Sequence, residues 1–456
     1  MLSGKIQIME SYPVPKAILL LAFPSMLAML VQIIYGLTDT FFIARTGNAD
    51  MVAAITFAMP IMMVFQAAGN IFAVGGASYL SRKLGERDLA EVKRASATCF
   101  YLSVLVGMIL TGFFGLYIDK IVRWFGATTG TFQYTKEYLI VMSSMSFLPI
   151  LQVTLAGLIR SEGATNHAMI GILLGTGVNI VMDYLFIFKM GMGIKGAAIA
   201  TLIGNGIGVS YYLFYFMYRS SFLSLNYRFF KPDKDMIYNI LAIGIPSSLS
   251  ALIMGFSNVL TNNIGSAYGE NVIAANGIQM RLNSVVFFLV MGLAQGYQPF
   301  AGYNYGAKNV KRLLSSFKVT LIYGSILSVV CAILLYLFSY QAMALFIDNA
   351  QVIRIGQQMI HAFLWAIPLL GVQFTITMTF QATGRAMLAM FLVLGRQLFF
   401  FVPLLLILNH YFTFNGYIYA QPVADLATTL VSVLLSVYFV RDLHKIDPVY
   451  ASKVPK

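Results

Sequence analysis

The stretch Phe23-Pro24-Ser25-Met26-Leu27 returns later in the chain as Ile245-Pro246-Ser247-Ser248-Leu249. Gly85-Glu86-Arg87-Asp88 returns at Gly306-Ala307-Lys308-Asn309, and Arg160 to Gly163 has its counterpart at Gln381 to Gly384. The three recurrences share an offset of about 221 residues, close to half of the 456-residue chain. A repeat of that length, with long apolar runs in each copy, is the mark of a secondary transporter in which two helical lobes rock about a shared cavity.

Composition sets the solvent. With 59% hydrophobic residues, 10% charged residues and a mean hydropathy of +0.78, the apolar surface exceeds what a water-soluble core can hide, so the solvent is lipid. Twelve stretches are long enough to cross a hydrocarbon core of roughly 30 Å at 1.5 Å per residue. They lie near 17–43, 51–79, 95–117, 138–159, 168–188, 197–218, 240–264, 272–300, 316–338, 358–380, 386–408 and 416–440. The expected fold is an all-α integral membrane protein, twelve transmembrane helices in two six-helix lobes related by the repeat. Residues 1–218 form the N-terminal lobe, 219–239 a polar linker and 240–456 the C-terminal lobe.

The net charge of +13 does not point to nucleic acid, because the basic residues are scattered over short loops and form no amphipathic face. Lys5 and Lys16, the Arg82 to Arg94 loop, the Arg219 to Lys234 linker, the Lys308 to Lys318 loop and the C-terminal tail all fall on one side of the twelve-span scheme. By the positive-inside rule that side is cytoplasmic, both termini with it, in a plasma-membrane protein. The two basic loops read either as solvated connections or as short helices lying at the interface. The N-terminus, about sixteen polar residues, does not read as a removed signal peptide.

Charged side chains within spans are expensive and usually mark a pathway or a partner. Asp39 lies late in the first span and Asp183 late in the fifth, with Asn179 one turn before it on the same face. Thr201 and Asn205 lie one turn apart early in the sixth span, which runs the other way. All five therefore sit at one depth, in the outer half of the N-terminal lobe. Two carboxylates with amide and hydroxyl oxygens suit a hard monovalent cation, and carboxylates deprived of water suit a proton. The alternative is that Asp39 and Asp183 hydrogen-bond neighbouring helices or line a wet vestibule. In the C-terminal lobe, Asp425 either pairs with Arg281 or Arg396 to fix helix packing or faces the cavity and meets a cationic substrate.

The order and spacing of several segments resemble the multidrug and toxic compound extrusion (MATE) family over nearly the whole chain. They are Pro24, the Tyr35 to Ile43 segment YGLTDTFFI, Gly75 to Gly85, the Asn179 to Phe188 pattern, Gly196 to Thr201, and Gln381-Ala382-Thr383-Gly384. In the DinF/MepA-like branch, the resemblance implies a coupling-ion site at Asp39, Asn179, Asp183 and Thr201, for H+ or Na+, with no other metal and no cofactor. Another branch uses carboxylates in the seventh and tenth spans, where this chain has Ser257, Asn258, Thr261, Asn262, Gln373, Thr375 and Thr377.

The resulting expectation is an antiporter, not an enzyme, that couples entry of H+ or Na+ to export of organic, cationic, amphipathic compounds. Pro24 is the expected hinge of the first span. Tyr35, Gln66, Asn70, Gln152, Gln279, Asn283, Arg281 and Asp425 are candidate cavity residues, set among abundant Met, Phe and Tyr. The partners are small organic molecules and membrane lipids, with no nucleic acid and no obligate protein partner. A lipid-linked oligosaccharide flippase is the rival; it would want a strongly basic central cavity. An intramembrane enzyme is disfavoured because His167, His361, His410 and His444 are scattered without ligand spacing.

Overall fold

In lipid, backbone N–H and C=O groups have no water to turn to, and a helix satisfies them within one segment. The computed structural model describes residues 4–446 except 125, 127, 220 and 221; the side chains at 37, 39, 40 and 444–446 lie outside the described residues, that of Asp39 included. Among the described residues every regular element is helical. Among the described residues nine helices are long and apolar enough to cross a membrane, and two bent pairs pass as further crossings. These pairs are Thr129–Ser144 with Phe147–Ser161, bent by 53°, and Ala350–Phe363 with Ile367–Ala382, bent by 49°. The last run, Ala386–Leu443, has 58 residues, and about 87 Å of helix is too much for one crossing. It turns back at Thr413, whose φ of 51° is non-helical. Counting that run as two crossings and each bent pair as one gives the twelve spans expected.

The two bends have a local cause. Pro149 and Pro368 each lie in the first turn of the second piece, where a missing N–H breaks no hydrogen bond, so a new helix starts there in a new direction. The basic loops correct an expectation: neither is a separate interfacial helix nor a long solvated loop. The second span runs on to Gly85 and the third starts at Leu89, and at the matching place the eighth ends at Gly306 and the ninth starts at Val310. Arg87 (φ 61°) and Lys308 (φ 56°) turn the chain in the left-handed region, 221 positions apart, so the repeat extends to a backbone conformation that side chains rarely adopt. The polar N-terminus holds a short helix, Gly4–Glu10, anchored by buried Ile6 and Met9.

The chain forms two compact units, one of residues 1–6 and 27–248, the other of 7–26 and 249–456. Each boundary inside a repeat falls two residues beyond that repeat's proline, Pro24 or Pro246. The first half of each repeat's opening helix therefore packs with the other repeat. Glycine makes both packings possible. In the first unit, a Cβ on Gly244 would lie 2.1 Å from the carbonyl oxygen of Ile71; in the second, one on Gly296 would lie 2.4 Å from Cα of Ala22. Backbone-to-backbone approach of this kind is how membrane helices gain dispersion energy where lipid removes the hydrophobic drive.

Candidate functional site

In the first unit, the fifth span is α-helical over Thr165–Asp183 and then widens into a π turn at Tyr184–Lys189. The turn begins immediately after Asp183, and such turns recur where a helix must aim a side chain out of regular register. Across from it, the sixth span, Gly193–Tyr218, comes in at backbone distance: a Cβ on Gly204 would lie 2.6 Å from the carbonyl oxygen of Gly175 and 2.9 Å from Cβ of Asn179. This approach brings Thr201 to Asn179. Asn179 Nδ2 donates to Thr201 Oγ1 at 3.5 Å, and Tyr35 donates its hydroxyl to the same oxygen at 3.3 Å. Asp183, Asn179 and Thr201 are 0%, 1% and 2% exposed. The oxygen of Asn179 is buried without a hydrogen-bond partner among the described residues. A buried amide oxygen left unsatisfied costs roughly 1–3 kcal/mol, a cost that a bound cation removes.

The remaining candidates of this unit are spread out. Asn205, one turn after Thr201, is half-buried, as is Asn70, while Gln66 is exposed. The amide nitrogen of Gln152 lies 3.0 Å from where a Cβ would sit on both Gly175 and Gly208, so it fills the gap that glycine leaves between the fifth and sixth spans. Tyr35, expected in a substrate cavity, joins the polar cluster through Thr201. At the end of the fourth span Glu162, fully buried, is held by Lys5 Nζ at 2.9 Å and accepts from the Tyr215 hydroxyl. Burial raises the Glu162 carboxyl above its ordinary value, and Lys5 works against that rise. His167 and Tyr211 hydrogen-bond at 2.7 Å, and Arg385 pairs with Asp442 in the second unit.

In the second unit, a cavity of about 250 Å³ is lined by Gln279 and Asn283 of the eighth span together with residues of the seventh, tenth, eleventh and twelfth spans. Arg281, on the same helix, is exposed. The partner of Asp425 is Arg396. Asp425, 0% exposed, accepts from Arg396 Nε at 2.7 Å and Nη2 at 3.3 Å, and from Gln421 Nε2 at 3.0 Å. The guanidinium also lies over the rings of Phe287 and Phe374, 5.5 and 5.9 Å from their centres. Sequence reasoning named both arginines and could not choose between them, because a buried partner is selected by the rotation of three packed helices.

The MatE family pattern matches residues 24–185 and again 246–407, once in each repeat. The chain belongs to the MatE family. It is a membrane transport protein, not an enzyme. This MatE protein is 31% identical over 438 residues to the multidrug export protein MepA of Staphylococcus aureus strain MSSA476, covering 96% of each chain. The MepA protein of Staphylococcus haemolyticus is 30% identical, again over 96% of each. Among solved structures, an outward-facing multidrug resistance MATE family transporter of the MOP superfamily matches with a TM-score of 0.92 at 25% identity, over 97% of this chain and 99% of that one. A MOP superfamily transporter from Pyrococcus furiosus, described as having a binding pocket of reverse polarity, matches with a TM-score of 0.90 at 26% identity, over 97% and 99%.

Proposed function

We propose that this MatE protein is a multidrug efflux antiporter of the cell membrane, exporting organic cations in exchange for H+ or Na+. The observation that carries the proposal is the buried cluster of Asn179, Asp183 and Thr201, with the unsatisfied amide oxygen of Asn179 beside it. The resemblance of its segment to the family adds Asp39 as a further ligand to this reading, and Asn205 follows Thr201 by one turn along the sixth span. A cation entering the cluster is desolvated by carboxylate, amide and hydroxyl oxygens. A proton serves the same end by neutralising a carboxylate that burial makes costly to charge. Either way the ion changes the net charge within the N-terminal lobe, residues 1–218, and so biases the first span about Pro24 between two bends. The linker 219–239 joins this lobe to the C-terminal lobe, 240–456, and both termini lie in the cytoplasm. Tyr35, Gln66, Asn70, Gln152, Gln279, Asn283, Arg281 and Asp425 are the residues to scan for contact with substrate.

The test is efflux of a cationic dye from everted membrane vesicles under separately imposed proton and sodium gradients. One gradient drives accumulation in the wild type and fails to do so in Asp39→Asn and Asp183→Asn. Dye movement that ignores both gradients, or that survives both substitutions, overturns the proposal.

A further inference from the structure

The chain that follows the sixth span is stitched to the third span, Leu89–Trp124, within the first unit. Ser96 Oγ donates to the carbonyl oxygen of Ser224 and accepts from its N–H, both at 3.0 Å. Tyr101 donates its hydroxyl to the carbonyl oxygen of Leu225 at 3.0 Å, and Arg94 Nη2 donates to that of Lys231 at 3.1 Å. Leu223 is buried, and one 3₁₀ turn, Tyr227–Phe229, capped by the Asn226 side chain, brings the backbone round between these ties.

The stitching gathers rings and cations at one end of the unit. Tyr101 meets Tyr227 and Phe230 with ring centres 5.7 and 5.2 Å away, and Lys93 Nζ lies 5.6 Å from the centre of the Phe229 ring. Tyr227 is 71% exposed, and Arg228 and Lys231 are exposed near it. Among the described residues Lys93, Arg228 and Lys231 have no acid within ion-pair distance. The acids close to them in sequence are engaged: Glu91 holds Arg94 and accepts from the Tyr79 hydroxyl, and Asp88 and Asp233 accept from the N–H groups of Glu91 and Asp235.

The neighbouring surface says what such a patch would hold. Tyr101, Leu105, Ile109 and Leu116 are spaced by four, four and seven residues, so they share one face of the third span, and the last three are at least half exposed. On a membrane helix that face meets acyl chains. Lys93 precedes Tyr101 by eight residues, about 12 Å of helix, so cation, ring and apolar stripe follow one another in the order of phosphate, ester and acyl chain in a bilayer leaflet. The ninth span keeps the stripe at Ile322, Ile326 and Leu337 but has Ile322 in the place of Tyr101 and Leu314 in the place of Lys93.

We propose that the linker and the start of the third span form a binding site for one acidic phospholipid. Lys93, Arg228 and Lys231 hold its phosphate and anionic headgroup, Tyr101 and Tyr227 lie at the level of its esters, and its chains run along Leu105, Ile109 and Leu116. Three cations without acid partners draw an anion, and the stripe beyond them, about 22 Å from Tyr101 to Leu116, selects one with an apolar tail. The site is independent of the export reading above.

The test is native mass spectrometry of the purified full-length protein in detergent, titrated with dioleoylphosphatidylglycerol or dioleoylphosphatidylcholine, which share their chains and differ in headgroup charge. The wild type binds its first phosphatidylglycerol at least about tenfold more tightly than phosphatidylcholine. The triple variant Lys93→Gln, Arg228→Gln, Lys231→Gln brings that ratio to within about twofold of unity. A control that loses as many cations from the second unit, Lys308→Asn, Lys311→Gln, Lys318→Gln, keeps it. Arg228→Gln alone, at an exposed side chain, lowers the ratio by about threefold and carries the test if the triple variant aggregates. Glycerol 3-phosphate, the anion without chains, leaves the lipid bound at roughly hundredfold excess. The proposal is overturned if the wild type shows no preference, if the variants keep it in full, if the control loses it equally, or if glycerol 3-phosphate displaces the lipid.

Discussion

In the first unit the buried carboxylate of Asp183 lies one turn from Asn179, whose amide oxygen has no hydrogen-bond partner among the described residues. In the second, the buried carboxylate of Asp425 is clamped by two guanidinium nitrogens and the Gln421 amide. Both sites lie beside a π turn, Tyr184–Lys189 in the fifth span and Arg396–Phe401 in the eleventh, the fifth of its half. On the proposed reading, one repeat has been put to two uses. An acid next to an amide oxygen without a partner among the described residues suits a cation, whereas an acid that already owns an arginine stabilises helix packing.

The sharpest way to break this contrast is to neutralise one carboxylate in each unit. Asp183→Asn is expected to abolish ion-driven efflux, a loss of more than about tenfold, with folded protein at wild-type level. Asp425→Asn is expected to lower the yield of folded protein instead. Fluorescence size-exclusion of both variants beside vesicle efflux separates the two, and the same phenotype from both would end the distinction.

A smaller effect sharpens the second site. Arg396→Met alone leaves Asp425 charged and buried, at a cost of about 3–5 kcal/mol. Adding Asp425→Asn should recover most of it, which thermal melting in detergent detects as a non-additive cycle. Strict additivity would show that the pair has no structural worth.

The exchange of opening helices is tested by Gly244→Val in the first unit and Gly296→Val in the second. Each puts a branched side chain where the backbone of a neighbouring helix passes within 2.1 or 2.4 Å of the Cβ position. Overpacking should cost about 1–3 kcal/mol in each. Similar falls in melting temperature would show that both repeats rely on the same close approach, and an unaffected variant would show that one of them does not. Smallest of all is Thr201→Ala, which removes one neutral oxygen and the acceptor of Asn179 and Tyr35. It should weaken the apparent ion affinity by about 1 kcal/mol, read as a few-fold rise in the half-saturating ion concentration during efflux.

Much of the first site was legible because it is local. Asn179 and Asp183 are four residues apart on one helix, so helical geometry alone aligns them, and the glycines that let Thr201 approach are in plain view at 175 and 204. The second site was half legible. Asp425 and two arginines stood out as charges in apolar spans, but Arg396 is 29 residues away and its selection depends on how the eleventh and twelfth spans turn about each other. The π turns left no readable signal, since a widened turn follows from packing demands on both sides of the helix and not from any residue type within it.

The length of the apolar runs, their number and the repeat of Pro24 at Pro246 were settled by the chain alone, because crossing a membrane is a matter of hydrogen bonding and apolar length within each segment. Where each opening helix packs was decided only in the folded state. Residues 7–26 join the second unit and residues 27–248 the first, although the repeat boundary says nothing of such an exchange. In a lipid solvent every helix is equally content with its surroundings, so partner choice falls to shape: the grooves left by small residues, and the few charges that must find one another.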